Sequence, residues 1–166
     1  MTFRPSLIPA GGRPLSEEEQ AAIERDMEAI ISGSHLFKSL DDAGRRDLIQ
    51  SGFVMRFEAG DVVLLQDAPG DTMFLVLEGK VRVETTTPGG TVQLAELGRG
   101  ACLGEVSVIT KGPRTATVTA LTDLTTVTFA RHRIERLLEA HPRVRELLEA
   151  LVAGRAKAAV DKILGQ

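Results

Sequence analysis

The chain has 166 residues, of which 43% are hydrophobic, 26% charged and 4% aromatic, with no Trp or Tyr and a formal net charge of −3. That is enough for one ordinary globular domain with a real core and appended helices, and too little for two large ones. The acidic balance excludes a broad basic surface for nucleic-acid phosphates, which needs clustered Lys and Arg, and leaves only a local basic site open.

The segment from Met1 to Pro9 lacks the continuous apolar core of a secretory signal, and nowhere is there a run of about 18 apolar residues that would span a membrane. A cytoplasmic location is expected. Residues 1–15 carry Pro5, Pro9, Gly11, Gly12 and Pro14, which break regular structure and predict a loose arm. From Ser16 the pattern changes. Ser16 and Glu19 form a capping box, acidic residues fill the first turn, and Ile23, Met27, Ile30 and Ile31 recur at helical spacing, predicting a helix of about four turns. A second short helix is expected around Asp41 to Ser51, with Leu48 and Ile49 facing inward. Residues 16–52 thus form an N-terminal helical unit.

From Phe53 to Phe129 the signal becomes strand-like. Apolar runs at Phe53–Phe57, Val62–Leu65, Met73–Leu77, Val81–Val83, Val92–Leu94, Thr117–Leu121 and Leu124–Phe129 are separated by Gly-rich punctuation such as Pro69-Gly70-Asp71, Glu78-Gly79 and Pro88-Gly89-Gly90. Many short strands at regular spacing predict a small β-roll or barrel over 53–130. Thr117, Thr119, Thr122, Thr125, Thr126 and Thr128 suit strands and are expected to face solvent in part. The single cysteine, Cys102, lies in an apolar stretch and reads as a core thiol.

Over residues 131–166 the helical period returns. Ile134, Leu137 and Leu138 form one stripe, and His141-Pro142 breaks and restarts the helix, Pro being well suited to a first helical position. Val144, Leu147, Leu148, Leu151, Val152, Val160, Ile163 and Leu164 then give an apolar face suited to packing against the roll or against a dimer mate. Gly154 is about 1 kcal/mol poorer than Ala in a helix, which suggests a hinge.

The densest chemical information lies in Leu103-Gly104-Glu105-Val106-Ser107 and, just beyond, Arg114-Thr115-Ala116-Thr117-Val118. Gly104 lets the backbone approach an anion closely. Glu105 offers a carboxylate to a sugar hydroxyl, and Arg114 offers a planar fork to phosphate oxygens. The alternative reading of the two charged residues is a surface ion pair between Arg114 and Glu105, worth about 0–1 kcal/mol.

The run LGEVSVITKGPRTATV resembles the phosphate-binding cassette of the cyclic-nucleotide-binding domain family, which includes the catabolite activator protein, the regulatory subunits of cyclic-AMP-dependent kinase and cyclic-nucleotide-gated channels. The resemblance extends over roughly residues 36 to 164. The family usually carries an aromatic residue where Leu103 stands. The resemblance implies an α+β fold: an eight-stranded antiparallel β-roll, jelly-roll-like, flanked by N-terminal helices and a C-terminal hinge and lid helix pair. It also implies a 3′,5′-cyclic nucleotide as ligand. Arg114 would pair with the phosphate oxygens, helped by N–H groups of a short helix starting near Gly104. Glu105 would accept from the ribose 2′-OH. Gly104, Val106, Ser107, Thr115 and Ala116 complete the cassette, the last three through backbone N–H groups. Arg82, Val83, Val160 and Ile163 are candidates for the base pocket, with the C-terminal helix as lid. A hydroxyl at Thr115 can reach a guanine amine, so cyclic GMP stays open beside the favoured cyclic AMP.

Rival chemistries fare worse. The histidines His35, His132 and His141 all lie in or beside helical segments outside the roll, so no metal centre and no cofactor are expected. The glycines Gly98, Gly100 and Gly104 are not followed by a long helix or set in a βαβ unit, and no Ser or Cys has a candidate base nearby, so no catalytic residues are assigned. The expected protein is a ligand-controlled regulator rather than an enzyme, with an unidentified effector protein as partner. A chain ending at Gln166, directly after the lid helix, leaves no room for a helix-turn-helix, so nucleic acid is not an expected partner of this chain alone. Two alternatives remain: a ligand-independent interaction module, and the sensor part of a longer transcription regulator.

Overall fold

A computed structural model describes residues 16–165, so the expected arm at 1–15 lies outside the described residues. Helix α1 (Glu17–Gly33) begins at Ser16, whose Oγ accepts the Glu19 N–H at 3.1 Å while the Glu19 carboxylate accepts the Ser16 N–H. It runs nearly five turns, slightly longer than its periodicity predicts. Helix α2 (Asp42–Ser51) starts at Asp41, whose carboxylate accepts the Gly44 N–H at 2.7 Å.

Eight strands follow: β1 (Phe53–Phe57), β2 (Val62–Leu64), β3 (Thr72–Glu78), β4 (Val81–Thr87), β5 (Gly90–Leu97), β6 (Cys102–Leu103), β7 (Thr117–Ala120) and β8 (Leu124–Ala130). Between β6 and β7 lies helix α3 (Glu105–Thr110), and after β8 come α4 (Arg131–Ala140) and α5 (Pro142–Leu164). The strands form two four-stranded sheets, ordered β1-β8-β3-β6 and β2-β7-β4-β5, with every pairing antiparallel. This is the expected β-roll with its flanking helices.

The strand period of two divides the core into two layers. On β3, Met73, Leu75 and Leu77 join Ile31, Phe37, Leu48, Ile134 and Leu148 in a layer between the first sheet and the helices. Phe74 and Val76 point the other way and meet Val81, Leu103, Val118 and Leu124 inside the roll. Burial on both faces explains why β3 reads as a continuous apolar run rather than an alternating one. The same alternation corrects the reading of β8. Val127 and Phe129 enter the helical layer, which turns Thr126 and Thr128 into the roll, where they are 0% and 2% exposed rather than facing solvent. The Thr126 hydroxyl is met there, its Oγ1 donating to the Met55 carbonyl at 3.2 Å, whereas Thr128 Oγ1 has no hydrogen-bond partner among the described residues.

Gly52 closes the α2 to β1 joint by letting the backbone pass directly under β8. A Cβ there would lie 2.3 Å from Val127 Cγ1 and 2.8 Å from Phe129 Cε1. Both neighbours are locked in the helical layer. Gly52→Ala is therefore expected to destabilise the domain by about 1–3 kcal/mol, the cost of overpacking, measured as a lowered denaturant midpoint at unchanged slope.

Cys102 sits in the same layer, on β6, and is fully enclosed. Burial, reinforced by the nearby Glu105 carboxylate, pushes its thiol up to about 12. A raised folded pKa means that the thiol form contributes its stability fully below the ordinary value of about 9, and that this contribution is lost as pH rises towards 12. At pH 8 a thiol reagent should react with the native protein only as fast as the fold opens, and at the free-thiol rate in denaturant.

Candidate functional site

The loop before β3, the β6–α3 joint and the segment entering β7 converge on one side of the roll, and α5 crosses in front of them. The β6–α3 joint, the segment entering β7, α5 and the facing strands β4 and β5 line a cavity of about 350 Å³, within the range of small-ligand sites. All seven cassette residues line it: Gly104, Glu105, Val106, Ser107, Arg114, Thr115 and Ala116.

Arg114 is 6% exposed, which demands that its guanidinium be satisfied by fixed partners. Nη1 donates to the Thr72 carbonyl at 3.0 Å and to the Gly104 carbonyl at 3.3 Å, and Nη2 donates to Thr72 Oγ1 at 2.9 Å. Its backbone is clamped as well. The Arg114 N–H donates to the Ala68 carbonyl at 2.9 Å, and the Asp67 N–H donates to the Arg114 carbonyl at 2.8 Å. Two glycines make room for the fork. A Cβ at Gly70 would sit 2.2 Å from Arg114 Nε, and one at Gly104 would sit 2.7 Å from Nη1. Gly104 also has φ +78°, in the left-handed region that favours glycine, and it serves as N-cap to α3. Burial lowers the Arg114 pKa from its ordinary value, while the Asp71 carboxylate pulls it back up.

Glu105 and Ser107 are 3% and 1% exposed at the start of α3. The alternative reading, a surface pair between Glu105 and Arg114, is not what forms, because both side chains are buried and each is held elsewhere. Glu105 Oε1 is bound at 2.5 Å by Arg155 Nη1 on α5, and the same nitrogen donates to the Cys102 carbonyl at 2.7 Å. Arg155 thereby fixes the lid helix to the carboxylate at the mouth of α3. It was not among the residues picked from the sequence. The only signal for it is a basic residue within the apolar pattern of α5, at the position next to Gly154.

The four base-pocket candidates divide evenly. Val83 and Ile163 line the cavity. Arg82 does not, because strand alternation turns it to the opposite face from Val83, where its Nε meets Glu84 Oε1 at 2.7 Å. Val160 does not either. The inward face of α5 is Val152, Arg155, Ala156, Ala159 and Ile163, and Val160 is rotated off that face to 52% exposure. Helix α5 also runs unbroken through Gly154, where the sequence suggested a hinge. The wall opposite α5 comes from β4 and β5, and includes Leu94 and the buried Thr85, whose hydroxyl donates to the Thr115 carbonyl at 3.3 Å.

Helix α4 is tied to this assembly by Arg131. Its N–H donates to the Asp71 carbonyl at 2.7 Å, and Nη2 donates to the Gly70 carbonyl at 2.5 Å and the Ser107 carbonyl at 3.4 Å. Among the described residues, no group of three or more His, Cys, Asp or Glu is placed to hold a metal ion, and no helix is long and apolar enough to cross a membrane.

Residues 54–141 match the family model for the cyclic nucleotide-binding domain. The chain is 25% identical over 132 residues to a CRP-like cAMP-activated global transcriptional regulator of Mycobacterium tuberculosis, covering 79% of this chain and 59% of the relative. It is 31% identical over 132 residues to a cyclic nucleotide-gated potassium channel of Mesorhizobium japonicum, covering 80% and 36%. The chain therefore spans about three fifths or less of the length of these relatives. The crystal structure of the Thermus thermophilus catabolite activator protein superposes with a TM-score of 0.68 at 29% identity, over 77% of this chain and 61% of that one. The family match covers more than half of the sequence and takes in the roll and the cassette side of the cavity, so this chain belongs to the cyclic nucleotide-binding domain family.

Proposed function

We propose that this chain is a receptor for 3′,5′-cyclic AMP that regulates a partner through movement of its C-terminal helices. The observation that carries the reading is the buried Arg114 fork and the buried Glu105 carboxylate facing one cavity beneath α5. A 3′,5′-cyclic nucleotide presents one negative charge on a ring-locked phosphate and keeps a free ribose 2′-OH. The guanidinium has five N–H groups, and its bonds to Thr72 and Gly104 leave donor capacity for the phosphate oxygens. The N–H groups at the head of α3 and at Thr115 and Ala116 add neutral donors. Glu105 is acceptor-only when ionised, which suits it to a hydroxyl. Arg155, already on that carboxylate, joins ligand recognition to the position of the lid. The relatives named for cyclic AMP or for cyclic nucleotides support the ligand class.

Regulation follows from where the helices are fastened. The loop that cradles Arg114 and the head of α3 share one bridge to α4, the Arg131 guanidinium. A ligand that shifts either segment shifts the balance of positions open to α4 and α5, by no more than its differential affinity for them. The effector is a protein that reads the α4–α5 surface. The same module can serve as the sensor part of a longer regulator, the curated relatives it matches being longer than this chain.

Calorimetric titration with cyclic AMP tests the reading. Arg114→Ala should lose about 2–5 kcal/mol of binding, as expected for truncating one partner of a buried charge pair, while retaining its fold by circular dichroism. Undiminished affinity in that variant would refute the assignment. Glu105→Ala should weaken cyclic AMP strongly and 2′-deoxy cyclic AMP little, since the lost contact is to the 2′-OH.

The bridge makes a separate prediction. Arg131→Ala should bind cyclic AMP within about tenfold of the parent but lose the ligand-dependent change in amide-exchange protection of α4 and α5. An unaltered exchange response would place the coupling elsewhere.

A further inference from the structure

We infer that Thr72 is a positioning residue for phosphate recognition: its hydroxyl, together with its own carbonyl, grips one edge of the Arg114 guanidinium and so presents the other edge, Nε with Nη2, to the ligand. This rests on the cavity being a cyclic-nucleotide site.

A guanidinium is a rigid plane with five N–H groups, two on each Nη and one on Nε. Nη1 donates to the Thr72 carbonyl at 3.0 Å and to the Gly104 carbonyl at 3.3 Å, so both of its hydrogens are taken. Nη2 donates to Thr72 Oγ1 at 2.9 Å. Two oxygens of one residue thus meet two different nitrogens, which fixes the plane and not only a point on it. One Nη2 hydrogen and the Nε hydrogen are left. They lie side by side on one edge, the fork that matches two oxygens of a phosphate. Arg114 lines the cavity and Thr72 does not, so the hydroxyl acts on a ligand only through the guanidinium.

Within this grip the hydroxyl is the part that depends on the identity of residue 72. The two carbonyls belong to the backbone and hold a single nitrogen, about which the plane can pivot. The bond from Nη2 to Oγ1 stops that pivot. Asp71, the charged neighbour, does not. Its carboxylate favours the ionised guanidinium through space, but it is exposed and makes no hydrogen bond or ion pair with Arg114 among the described residues. Thr72 is itself well placed to hold a direction. It opens β3, its backbone is paired opposite Ala130 of β8, and its β-branch restricts χ1. A fork held in the binding geometry loses little freedom when the ligand arrives, whereas a pivoting one has to be ordered by the ligand. The sequence hides this role, because the hydroxyl and its partner stand 42 positions apart.

Calorimetric titration with cyclic AMP separates the hydroxyl from the shape of the side chain. Thr72→Val keeps the β-branch and the carbonyl but removes the acceptor, and is expected to weaken binding about 10- to 100-fold, the range for one hydrogen bond to a charged group. Thr72→Ser keeps the hydroxyl, gives up the branch, and is expected to retain most of the affinity. A role in strand formation alone predicts the reverse order, since valine suits a strand better than serine does. Asp71→Asn, which removes a charge but no bond, is expected to weaken binding less than Thr72→Val. Should Thr72→Val fail to fold, Thr72→Ala removes the same hydroxyl and carries the same expectation. Parental affinity in Thr72→Val, or a Thr72→Ser protein as weak as Thr72→Val, overturns the inference and leaves the site reading standing, provided cyclic AMP binding is lost in Arg114→Ala. Absence of saturable cyclic AMP binding by the parent chain overturns the site reading and this inference with it.

Discussion

The site depends on keeping a guanidinium ion inside a wall of protein. Arg114 is nearly inaccessible, and a charge in that position is tolerated only if its hydrogens are met by oriented acceptors. Thr72 supplies a carbonyl and a hydroxyl, Gly104 supplies a carbonyl, and Asp71 stands near enough to favour the charged form. These acceptors reach the fork only because Gly70 and Gly104 lack side chains where it lies. Three separated stretches of chain are thus held in register by one side chain. The antiparallel pairing of β3 with β6 brings the Thr72 and Gly104 stretches together independently of Arg114.

Once that fork is fixed, the placement of the rest follows. The left-handed turn at Gly104, needed for the Arg114 contact, also sets the start of α3, and with it the direction of Glu105. Glu105 then determines where α5 is held, through Arg155, and Lys162, about two helical turns further along, makes a second attachment at the carbonyl of Leu94. The proximal half of α5 is anchored differently, by Val144 and Leu148 in the helical layer. One helix of 23 residues therefore has an apolar anchor at one end and polar fastenings at the other. On the proposed reading, the distal half, held by exchangeable hydrogen bonds rather than by apolar packing, is the part that a ligand repositions.

The roll and the cassette were legible because their signals are local. Turn glycines, β-branched runs and a contiguous cassette each lie within a short window, and the capping box at Ser16 and Glu19 needs only four residues. What escaped was decided by distant partners. The two-residue strand β6 is too short to show a period, and it exists because Phe74 and Leu75 pair with it. Thr126 and Thr128 read as partly exposed until β8 is seen between β1 and β3, with its other face taken by Val127 and Phe129. Val160 shared the apolar pattern of α5 with Ile163, and only the docking of the helix shows that Ile163 faces the cavity and Val160 does not. Arg155 showed only as a basic residue within the apolar pattern of α5, since its role is defined by Glu105, 50 positions earlier in the sequence.

The same contrast explains the division of the cavity. Its polar end is built by a short segment of chain, so side-chain chemistry there can be set residue by residue, and each group has a partner of matching charge or hydrogen-bonding sense. Its apolar end is shared between β4, β5 and α5, elements whose other duties are to form a ladder and to lie along the roll. Residues serving those duties are aliphatic, and the cavity inherits them. On the proposed reading, recognition of the cyclic phosphate and ribose rests on a few charged groups that cannot be exchanged without leaving a buried charge unpaired, and it is separable from whatever the aliphatic wall admits.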